Sequence, residues 1–443
     1  MCRMLNPVPL GVLKNWRGAP VLWPRLPALE ACRDQAGCAG KIHAQNPVSQ
    51  MPPPPPSGPE KDFSLNAEER IERALRGNAW RLNLSNMGLQ SLPESVGGLA
   101  SLHSLELCGN QLTTLPESLG KLAGLRALNL YQNQLASLPQ SFGELANLER
   151  LDLRCNRFES LPECLGKLPC LKLLWLQNNR LASLPEWLGR LTSLTALQLD
   201  GNQFTSLPDA VRGLAGLTHL QLRENRITDL PAWLGGMTRL TYLDLDGNHL
   251  ANVPECLTKL SSLETLGLRK NRLRCLPAWL GNLTALGSLQ LQGNQLTSLP
   301  ESLGGLMKLW RLNLEDNELA TLPESFSKLT RLDALNVARN RLTDVPEAIG
   351  ALIRLTRLHL SDNQLTSLPE WLGKLVWLRT LDVAGNHLSS LPDWIEPHVQ
   401  LSSLCVARND IPDLEEMRVR GCWTVTDKSE RGDPIWTREV WDL

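Results

Sequence analysis

The side chains most able to carry chemistry in this chain are its eleven cysteines and seven histidines. Metal sites and nucleophilic sites place such residues at short, fixed spacings, as in Cys-x-x-Cys or His-Glu-x-x-His. Neither spacing occurs here, and the glycine-rich phosphate loops and the Gly-x-Ser-x-Gly turn of hydrolases are also absent from the sequence. Cys164 and Cys170 lie close in sequence without a nearby histidine, as structural cysteines do. The sequence therefore predicts no cofactor, no metal and no catalytic residue.

The element that positions every other residue is a repeat of 23 residues. The stretch from Leu102 to Leu122, LHSLELCGNQLTTLPESLGKL, shows its pattern of Leu, Leu-x-Leu, Asn, Leu-Pro and Leu-Gly-x-Leu. The asparagine recurs without an insertion at Asn110, Asn133, Asn156, Asn179, Asn202, Asn225, Asn248, Asn271, Asn294, Asn317, Asn340, Asn363, Asn386 and Asn409. An earlier unit has Met87 at this position, which makes fifteen units. One unit cannot bury its own leucines, so the pattern predicts a stack of units around a continuous core.

On this pattern the chain resembles the leucine-rich repeat family, in particular the Leu-Pro-x-x-Leu-Gly variety of Ras-group-related scaffolds, Roco-type repeat regions and secreted bacterial effectors. The resemblance covers about three quarters of the chain. It implies an α/β solenoid, a right-handed horseshoe with a parallel concave sheet and short helical or 3₁₀ turns on the convex side. The catalytic domain of the related bacterial ubiquitin ligases and the nucleotide-binding domain of Roco proteins are both missing, which favours a protein that is not an enzyme.

Within each unit the Leu-x-Leu residues alternate with polar ones, as in a short strand with one buried face. Fifteen strands in register would form one sheet with three outward columns, which begin at Arg81, Asn83 and Ser85 and recur every 23 residues. These columns hold seven arginines, seven acidic residues and no lysine. A nucleic-acid groove would carry mainly one sign of charge, whereas arginine mixed with acids and aromatic rings is typical of protein interfaces. We therefore predict a protein partner and no nucleic acid.

Aromatic rings and arginines concentrate in one part of these columns, from the third to the ninth unit. The predicted partner-binding residues are Tyr131, Arg150, Asp152, Arg154, Trp175, His219, Arg223, Tyr242, Asp244, Asp246 and Arg269. Aromatic and arginine anchors supply most of the energy of protein interfaces. Because these side chains are expected to point away from the core, replacement of Trp175 and Arg223 by alanine should abolish binding and spare the fold. The alternative is that they are ordinary solvated strand residues.

Three further positions of the repeat have structural interpretations. We expect the asparagine amides to be buried and bonded to backbone groups of their own and the adjacent turn. The glycine of Leu-Gly is replaced in four units, by Arg212, Thr258, Ser327 and Glu396, so it is not expected to need a left-handed backbone. Two residues before it, tryptophans alternate with smaller residues, which predicts that each indole packs over a small neighbour. A convex apolar binding stripe is the alternative.

The ends of the array have a different composition. Residues 1–60 lack periodicity and contain the proline run at 52–56, which predicts a disordered tail, with a docking motif or an export signal as the alternative. An amphipathic capping helix is expected within residues 61–78, with Asn66 and Glu69 as its N-terminal capping box and with Ile71, Ala74 and Leu75 on its apolar face. The repeats fill residues 79–411. Residues 412–443 are expected to cover the last unit, with a helix at 414–420.

Charge and cysteine usage bear on partners and compartment. The net charge of −1 creates no field that attracts nucleic acid or an anionic membrane, and the sequence has no apolar run long enough to predict a membrane span. An odd number of cysteines without a cluster at either end predicts a reducing compartment. We therefore expect a monomer in the cytoplasm, of a bacterium or of a host cell, that acts as a scaffold. The alternative function is substrate recognition within an enzyme complex, such as a ubiquitin ligase or a nucleotide-dependent regulator.

Overall fold

A computed structural model describes residues 66–395, 400–412, 424–428 and 434–437. The chain divides into two units, Met1–Leu65 and Asn66–Leu443, and every described residue belongs to the second. The predicted tail at 1–60 and the predicted helix at 414–420 lie outside the described residues.

The second unit begins with an α-helix, α1 (Ala67–Arg76). The Asn66 side chain accepts a hydrogen bond from the Glu69 backbone N–H at 2.9 Å, and the Glu69 carboxylate accepts the Asn66 N–H at 3.0 Å, which confirms the expected capping box. Ile71 is fully buried against the first repeat, whereas Leu75, expected on the same face, is 38% exposed. The apolar face of α1 is therefore narrower than the sequence suggested.

Fifteen strands of three residues follow at the repeat spacing. They are β1 (Arg81–Asn83), β2 (Ser104–Glu106), β3 (Ala127–Asn129), β4 (Arg150–Asp152), β5 (Leu173–Trp175), β6 (Ala196–Gln198), β7 (His219–Gln221), β8 (Tyr242–Asp244), β9 (Thr265–Gly267), β10 (Ser288–Gln290), β11 (Arg311–Asn313), β12 (Ala334–Asn336), β13 (Arg357–His359), β14 (Thr380–Asp382) and β15 (Ser403–Cys405). Each strand pairs in parallel with the next, and every residue faces the one 23 positions later. The sheet stays open, and the predicted solenoid is confirmed.

A 3₁₀ helix returns the chain on the convex side of each of the first fourteen units. These helices are Glu94–Gly98, Glu117–Lys121, Gln140–Glu144, Glu163–Lys167, Glu186–Arg190, Asp209–Gly213, Ala232–Gly236, Glu255–Lys259, Ala278–Asn282, Glu301–Gly305, Glu324–Lys328, Glu347–Ala351, Glu370–Lys374 and Asp393–Ile395. In the second unit Pro116 precedes the helix with φ −72° and ψ 149°, and it cannot donate a ladder hydrogen bond. The proline of Leu-Pro thus ends each extended segment and starts the convex turn.

The asparagine ladder is present as predicted. Asn248, only 2% exposed, donates from Nδ2 to the carbonyl oxygens of Leu222 at 2.9 Å and Leu245 at 3.0 Å. Its Oδ1 accepts the Ile227 N–H at 3.0 Å. Each amide therefore joins its own turn to the preceding unit, and a buried amide left without these partners would cost about 1–3 kcal/mol.

A left-handed residue precedes the asparagine position in all fifteen units, which the sequence pattern did not indicate. Five of these residues are glycine, such as Gly109 with φ 68°, and ten are not, such as Lys270 with φ 48°. An L residue in this conformation costs about 1–2 kcal/mol relative to the right-handed region. The tight turn after each strand is therefore maintained by the ladder and the core against a local preference of the backbone.

The convex glycine serves close packing between units. A Cβ on Gly97 would lie 2.5 Å from the backbone oxygen of Ser118, and one on Gly166 would lie 3.0 Å from the Trp187 ring. The repeat tryptophans are partly buried and pack against the core. The indole of Trp187 thus packs over a small neighbour, but that neighbour is the repeat glycine Gly166 and not, as the sequence predicted, the smaller residue of its own column.

Two strands beyond the last repeat were not predicted. They are β16 (Thr424–Lys428) and β17 (Pro434–Thr437). Strand β17 pairs antiparallel with β15, with Leu404 opposite Trp436, and β16 pairs antiparallel with β17. A hairpin therefore covers the edge of the last repeat strand, which would otherwise expose unpaired backbone groups.

Candidate functional site

The three predicted columns lie on the concave face of the sheet. The first two columns are the first and third residues of each strand, on either side of a buried central leucine, and the third column lies two residues after each strand. The predicted partner-binding residues all fall in these columns between β3 and β9. The structure brings most of them into two groups, and Arg150, exposed at the start of β4, belongs to neither.

The first group, here called the Arg154 cluster, contains Tyr131, Asp152, Arg154 and Trp175. Arg154 Nε donates to the two carboxylate oxygens of Asp152 at 2.9 and 3.0 Å, and its Nη2 lies 2.5 Å from Asp152 Oδ2. The guanidinium carbon lies 5.1 Å from the ring centroid of Tyr131 and 6.0 Å from that of Trp175. One cation thus lies against two aromatic rings from the neighbouring strands.

Burial differs sharply within the Arg154 cluster. The side chain of Asp152 is 6% exposed and that of Arg154 is 32% exposed, and both rings are half-buried. Burial by itself lowers the pKa of Arg154, but the hydrogen bonds and the charge of Asp152 outweigh it and raise that pKa. The guanidinium is therefore permanently charged and fixed in place, with one side still accessible to solvent.

The second group, the Arg223 cluster, contains Asp200, His219, Arg223, Tyr242, Asp244, Asp246 and Arg269. Arg223 donates from Nε to Asp244 Oδ2 at 2.6 Å and from Nη2 to the Tyr242 hydroxyl at 3.2 Å. The Tyr242 hydroxyl in turn donates to Asp244 Oδ2 at 2.9 Å. Asp244, at 2% exposure, is thereby paired with one cation and accepts a hydrogen bond from the phenol.

Asp246 links the two arginines of the Arg223 cluster. Its Oδ1 accepts the Arg269 backbone N–H at 2.7 Å, and its Oδ2 accepts Arg269 Nε at 2.5 Å and lies 3.7 Å from Arg223 Nε. Strand β9 has Gly267 where other strands carry a side chain. A Cβ there would lie 2.6 Å from Asp244 Oδ1 and 2.9 Å from Asp246 Oδ1, so glycine leaves the space for both carboxylates.

Asp200 is part of this cluster, although it was not among the predicted site residues. Its Oδ1 accepts the Arg223 backbone N–H at 2.8 Å. Burial, followed by the nearby Asp244 charge, raises the pKa of Asp200 to about 7 against the effect of Arg223. Burial and Asp244 also raise the pKa of Asp246, while Arg269 opposes them. The sequence held a signal for this residue, since Asp200, Arg223, Asp246 and Arg269 alternate in charge along the third column.

Two rings complete the Arg223 cluster. His219 and Tyr242 stack with ring centroids 5.8 Å apart and an interplanar angle of 19°. Burial lowers the pKa of His219, and burial followed by the Asp244 charge raises the pKa of Tyr242. The imidazole is therefore neutral and the phenol protonated near neutral pH, and together they present a flat, uncharged surface beside the ion pairs.

Buried glutamines lie between the two clusters, a feature that the sequence analysis did not single out. Gln177, Gln198 and Gln221 are 9%, 3% and 6% exposed, and Gln177 Nε2 donates to Gln198 Oε1. Amide side chains thus pack the second column of the concave face between the two clusters.

These contacts correct one expectation. Arg223 does lie on the concave face, but it neutralises a nearly inaccessible carboxylate, and loss of one partner of a buried ion pair is strongly destabilising. Its replacement by alanine is therefore expected to lower the stability of the fold. Trp175 contacts the guanidinium of Arg154 and takes part in no ion pair, so it is the cleaner probe of this face.

The described segments offer no candidate site for a metal ion and no candidate membrane span. Within them, no group of three or more His, Cys, Asp or Glu side chains is arranged to hold a metal ion. In the same part of the chain, no helix has the length and apolar character needed to cross a membrane.

Models of leucine-rich repeats match this chain in several segments. The model described as "Leucine-rich repeat region" matches residues 117–221, the one described as "Leucine rich repeat" matches 80–135 and 330–388, and a two-copy model matches 216–259. Comparison with curated protein sequences gives no significant match.

Three solved structures are informative relatives. A leucine-rich repeat protein of Leptospira interrogans is 34% identical, with a TM-score of 0.73 over 79% of this chain and 95% of that one. YopM, a leucine-rich effector protein from Yersinia pestis, is 30% identical, with a TM-score of 0.60 over 77% of this chain and 92% of that one. The plant peptide hormone receptor RGFR1, in complex with RGF2, is 28% identical, with a TM-score of 0.58 over 74% of this chain and 59% of that one.

Proposed function

Because the chain belongs to the leucine-rich repeat family, we propose that it is a scaffold that binds a protein partner on the concave face of its sheet. Proteins of this family are generally not enzymes, and we propose the same for this chain.

The observation that carries the proposal is the Arg154 cluster. Tyr131, Arg154 and Trp175 come from three successive units and form one continuous, half-buried surface. Tryptophan, tyrosine and arginine are the residues most often found as energetic anchors of protein interfaces. Asp152 fixes the guanidinium before any partner arrives, so less side-chain entropy is lost on binding.

The Arg223 cluster extends this surface toward β9. Its ion pairs are satisfied within the protein, so a partner that covers them meets a nearly neutral, rigid surface with the His219 and Tyr242 rings at its side. A charged group left unpaired under a partner would oppose binding. We infer that this part of the face contributes shape and hydrogen bonding, while the Arg154 cluster contributes the anchors.

Two finer assignments are also proposals. The 30% identity to YopM supports a relationship with the repeats of bacterial effectors, and the Leu-Pro-x-x-Leu-Gly pattern supports kinship with Ras-group-related and Roco-type repeats. The seven cysteines within the described residues are free thiols, which supports a reducing compartment such as the cytoplasm. The complex of the plant receptor RGFR1 with RGF2 is a precedent for a solenoid of this family that binds a polypeptide.

Site-specific photo-crosslinking tests the concave proposal. A photoreactive phenylalanine analogue in place of Leu173, half-buried at the start of β5, reports on the concave face, and one in place of Glu163, exposed on the convex side of the preceding unit, is the matched control. In the cells of origin, the concave probe should capture a discrete protein, identified by mass spectrometry, and the convex probe should not.

The anchor is tested in the same assay. Trp175→Ala should remove the crosslink, because truncation of such an anchor costs about 2 kcal/mol or more, while circular dichroism stays unchanged. Trp310→Ala is the matched control, since Trp310 is 48% exposed and lies outside both clusters. A crosslink from Glu163 that survives Trp175→Ala would place the partner on the convex side and refute the proposal.

A further inference from the structure

The concave face contains a pocket outside the two clusters. Arg311 and Arg357 begin β11 and β13 and flank Ala334, which begins the strand between them. Together with Asn313, Asn336 and His359 they line a pocket of about 140 Å³. The two arginines are two strands apart, which is about 10 Å at the backbone, so their long side chains can reach a common group above the alanine methyl.

The charges around this pocket are not balanced. Arg311 forms no ion pair with any described residue, whereas Arg357 Nη2 contacts Asp333 Oδ2 at 2.7 Å and remains 51% exposed. Across the three columns from β10 to β13 the single acidic residue is Glu315, which accepts a hydrogen bond from Asn336 Nδ2 at 3.0 Å. His359 lies 3.7 Å from Asp382 on the far side. The pocket therefore carries a net positive charge, and its arginines retain N–H groups that can donate hydrogen bonds to a ligand.

The electrostatics of Arg311 agree with this geometry. Partial burial, followed by the like charges of Arg357 and Arg269, lowers its pKa. The opposite holds for Arg154 and Arg223, whose carboxylate partners raise their pKa values. An oxyanion between Arg311 and Arg357 would supply the missing counter-charge and accept the planar, two-pronged hydrogen bonds that guanidinium groups form.

We propose that the pocket between Arg311 and Arg357 binds an oxyanion, and, on the basis of the proposed function, that this group is an acidic side chain of the protein partner. A carboxylate and a phosphorylated side chain offer the same chemistry to the two guanidinium groups. Nucleic acid is not favoured, because a phosphate backbone requires a run of cations and the three columns together hold seven arginines and seven acidic residues.

The pocket is tested on the full chain without a partner. Inorganic phosphate and acetate are titrated separately at constant ionic strength, with chloride as the reference, while the arginine Nε–H resonances are followed by NMR. Saturable shifts are expected for Arg311 and Arg357 and not for Arg154, whose Nε already donates to Asp152. Saturation by acetate identifies a carboxylate site, and saturation by phosphate alone identifies a phosphate site. Linear shifts equal to those in chloride would overturn the proposal.

Variants separate the pocket from a general charge effect. Arg311→Gln should weaken the saturable binding by about tenfold or more, as loss of a charge-assisted hydrogen bond does. Ala334→Leu fills the space between the arginines without changing charge and should abolish saturation. Ala127→Leu, at the equivalent position of β3, is its matched control and should leave binding unchanged. Saturation that persists in folded Ala334→Leu protein would also overturn the proposal.

The same variants distinguish this inference from the proposed function. If neither acetate nor phosphate gives saturable shifts, the oxyanion site is refuted, and the crosslink of the Leu173 probe should still form. If the partner crosslinks to the Glu163 probe and not to the Leu173 probe, the concave partner is refuted, and anion binding by the pocket can still be measured. If both hold, Ala334→Leu should weaken the crosslink to the partner; an unchanged crosslink in Ala334→Leu would refute the assignment of the anion to the partner.

Discussion

The Arg223 cluster and the Arg311 pocket use the same residue type in opposite ways. In the cluster, Arg223 and Arg269 each contact a carboxylate from a column of the same face, and those carboxylates are almost inaccessible to water. In the pocket, Arg311 and Arg357 are separated by an alanine, and no carboxylate lies between them. An arginine of the concave face therefore stabilises the fold where a nearby column supplies a carboxylate, and it is available to bind a ligand where the neighbouring strand supplies an alanine.

The largest expected difference between the two regions is in stability. Arg223→Ala leaves the buried Asp244 carboxylate without its cation and should lower the free energy of unfolding by about 3 kcal/mol. Arg311→Ala removes an unpaired surface cation and should change it by less than about 0.5 kcal/mol. Urea unfolding followed by circular dichroism measures both.

A double variant tests the cause of the loss at Arg223. If an uncompensated charge is responsible, Asp244→Asn added to Arg223→Ala should restore part of the stability. Equal losses in the Arg223→Ala and Arg311→Ala proteins would show that the comparison between the two regions is wrong.

Space around the carboxylates gives the next largest effect. Gly267→Ala places a methyl group 2.6 Å from Asp244 Oδ1, and Asp244 is fixed by Arg223 and Tyr242 and cannot withdraw. We expect a loss of about 1–3 kcal/mol from this overpacking. Ala334→Leu in the open pocket should cost much less. Thermal unfolding of each variant measures the difference. Similar losses of stability in the Gly267→Ala and Ala334→Leu proteins would show that the Arg223 cluster adapts to the added methyl group more easily than its contacts imply.

The two regions should also differ in the sign of their pH dependence. The folded protein raises the pKa of Asp200 to about 7 from 3.8, so it binds this proton more tightly than the unfolded chain does. Stability from this group is therefore present below pH 4 and is lost as the pH rises toward 7. The full shift corresponds to about 4 kcal/mol, and partial exposure of Asp200 reduces the effect to on the order of 1–2 kcal/mol.

Asp200→Asn should remove that loss and stabilise the protein at pH 8.

Asp382, beside the pocket, has the opposite behaviour. Burial raises its pKa, but hydrogen bonds from His359, the Ala384 N–H and Ser361 outweigh burial and lower it. Its stabilising contribution should be present above the unfolded pKa and lost as the pH falls through the folded value. Unfolding curves at pH 3, 5 and 8 for Asp200→Asn and Asp382→Asn test both signs, and parallel curves would contradict the assignment.

The repeat period was sufficient to predict the strands, the convex turns and the asparagine ladder, because a fixed spacing places equivalent residues side by side. It also placed every predicted site residue on one face. It did not show how deeply the carboxylates are buried, since that depends on how the arginine side chains fold over them. Arg154 turns back to Asp152 on its own strand, whereas Arg223 reaches forward to Asp244 on the next.

Other features had no regular sequence signal. The residue before each asparagine ranges from glycine to lysine and arginine, so its left-handed backbone was not evident. Strands β16 and β17 lie outside the repeat, and the period says nothing about them. The role of Gly267 could only be recognised once the two carboxylates that it accommodates were located.

The uninterrupted spacing of 23 residues fixes the distance between any two sites on the concave face as a whole number of strand spacings. The Arg154 cluster is centred on β4 and the oxyanion pocket on β12, eight strand spacings apart, which is about 38 Å at about 4.8 Å for each step. An extended polypeptide covers that distance with about twelve residues. Deleting one whole unit between the two sites would bring them closer by one strand spacing, and the preferred length of such a ligand would fall by one or two residues. Every remaining pair of neighbouring strands would keep its register.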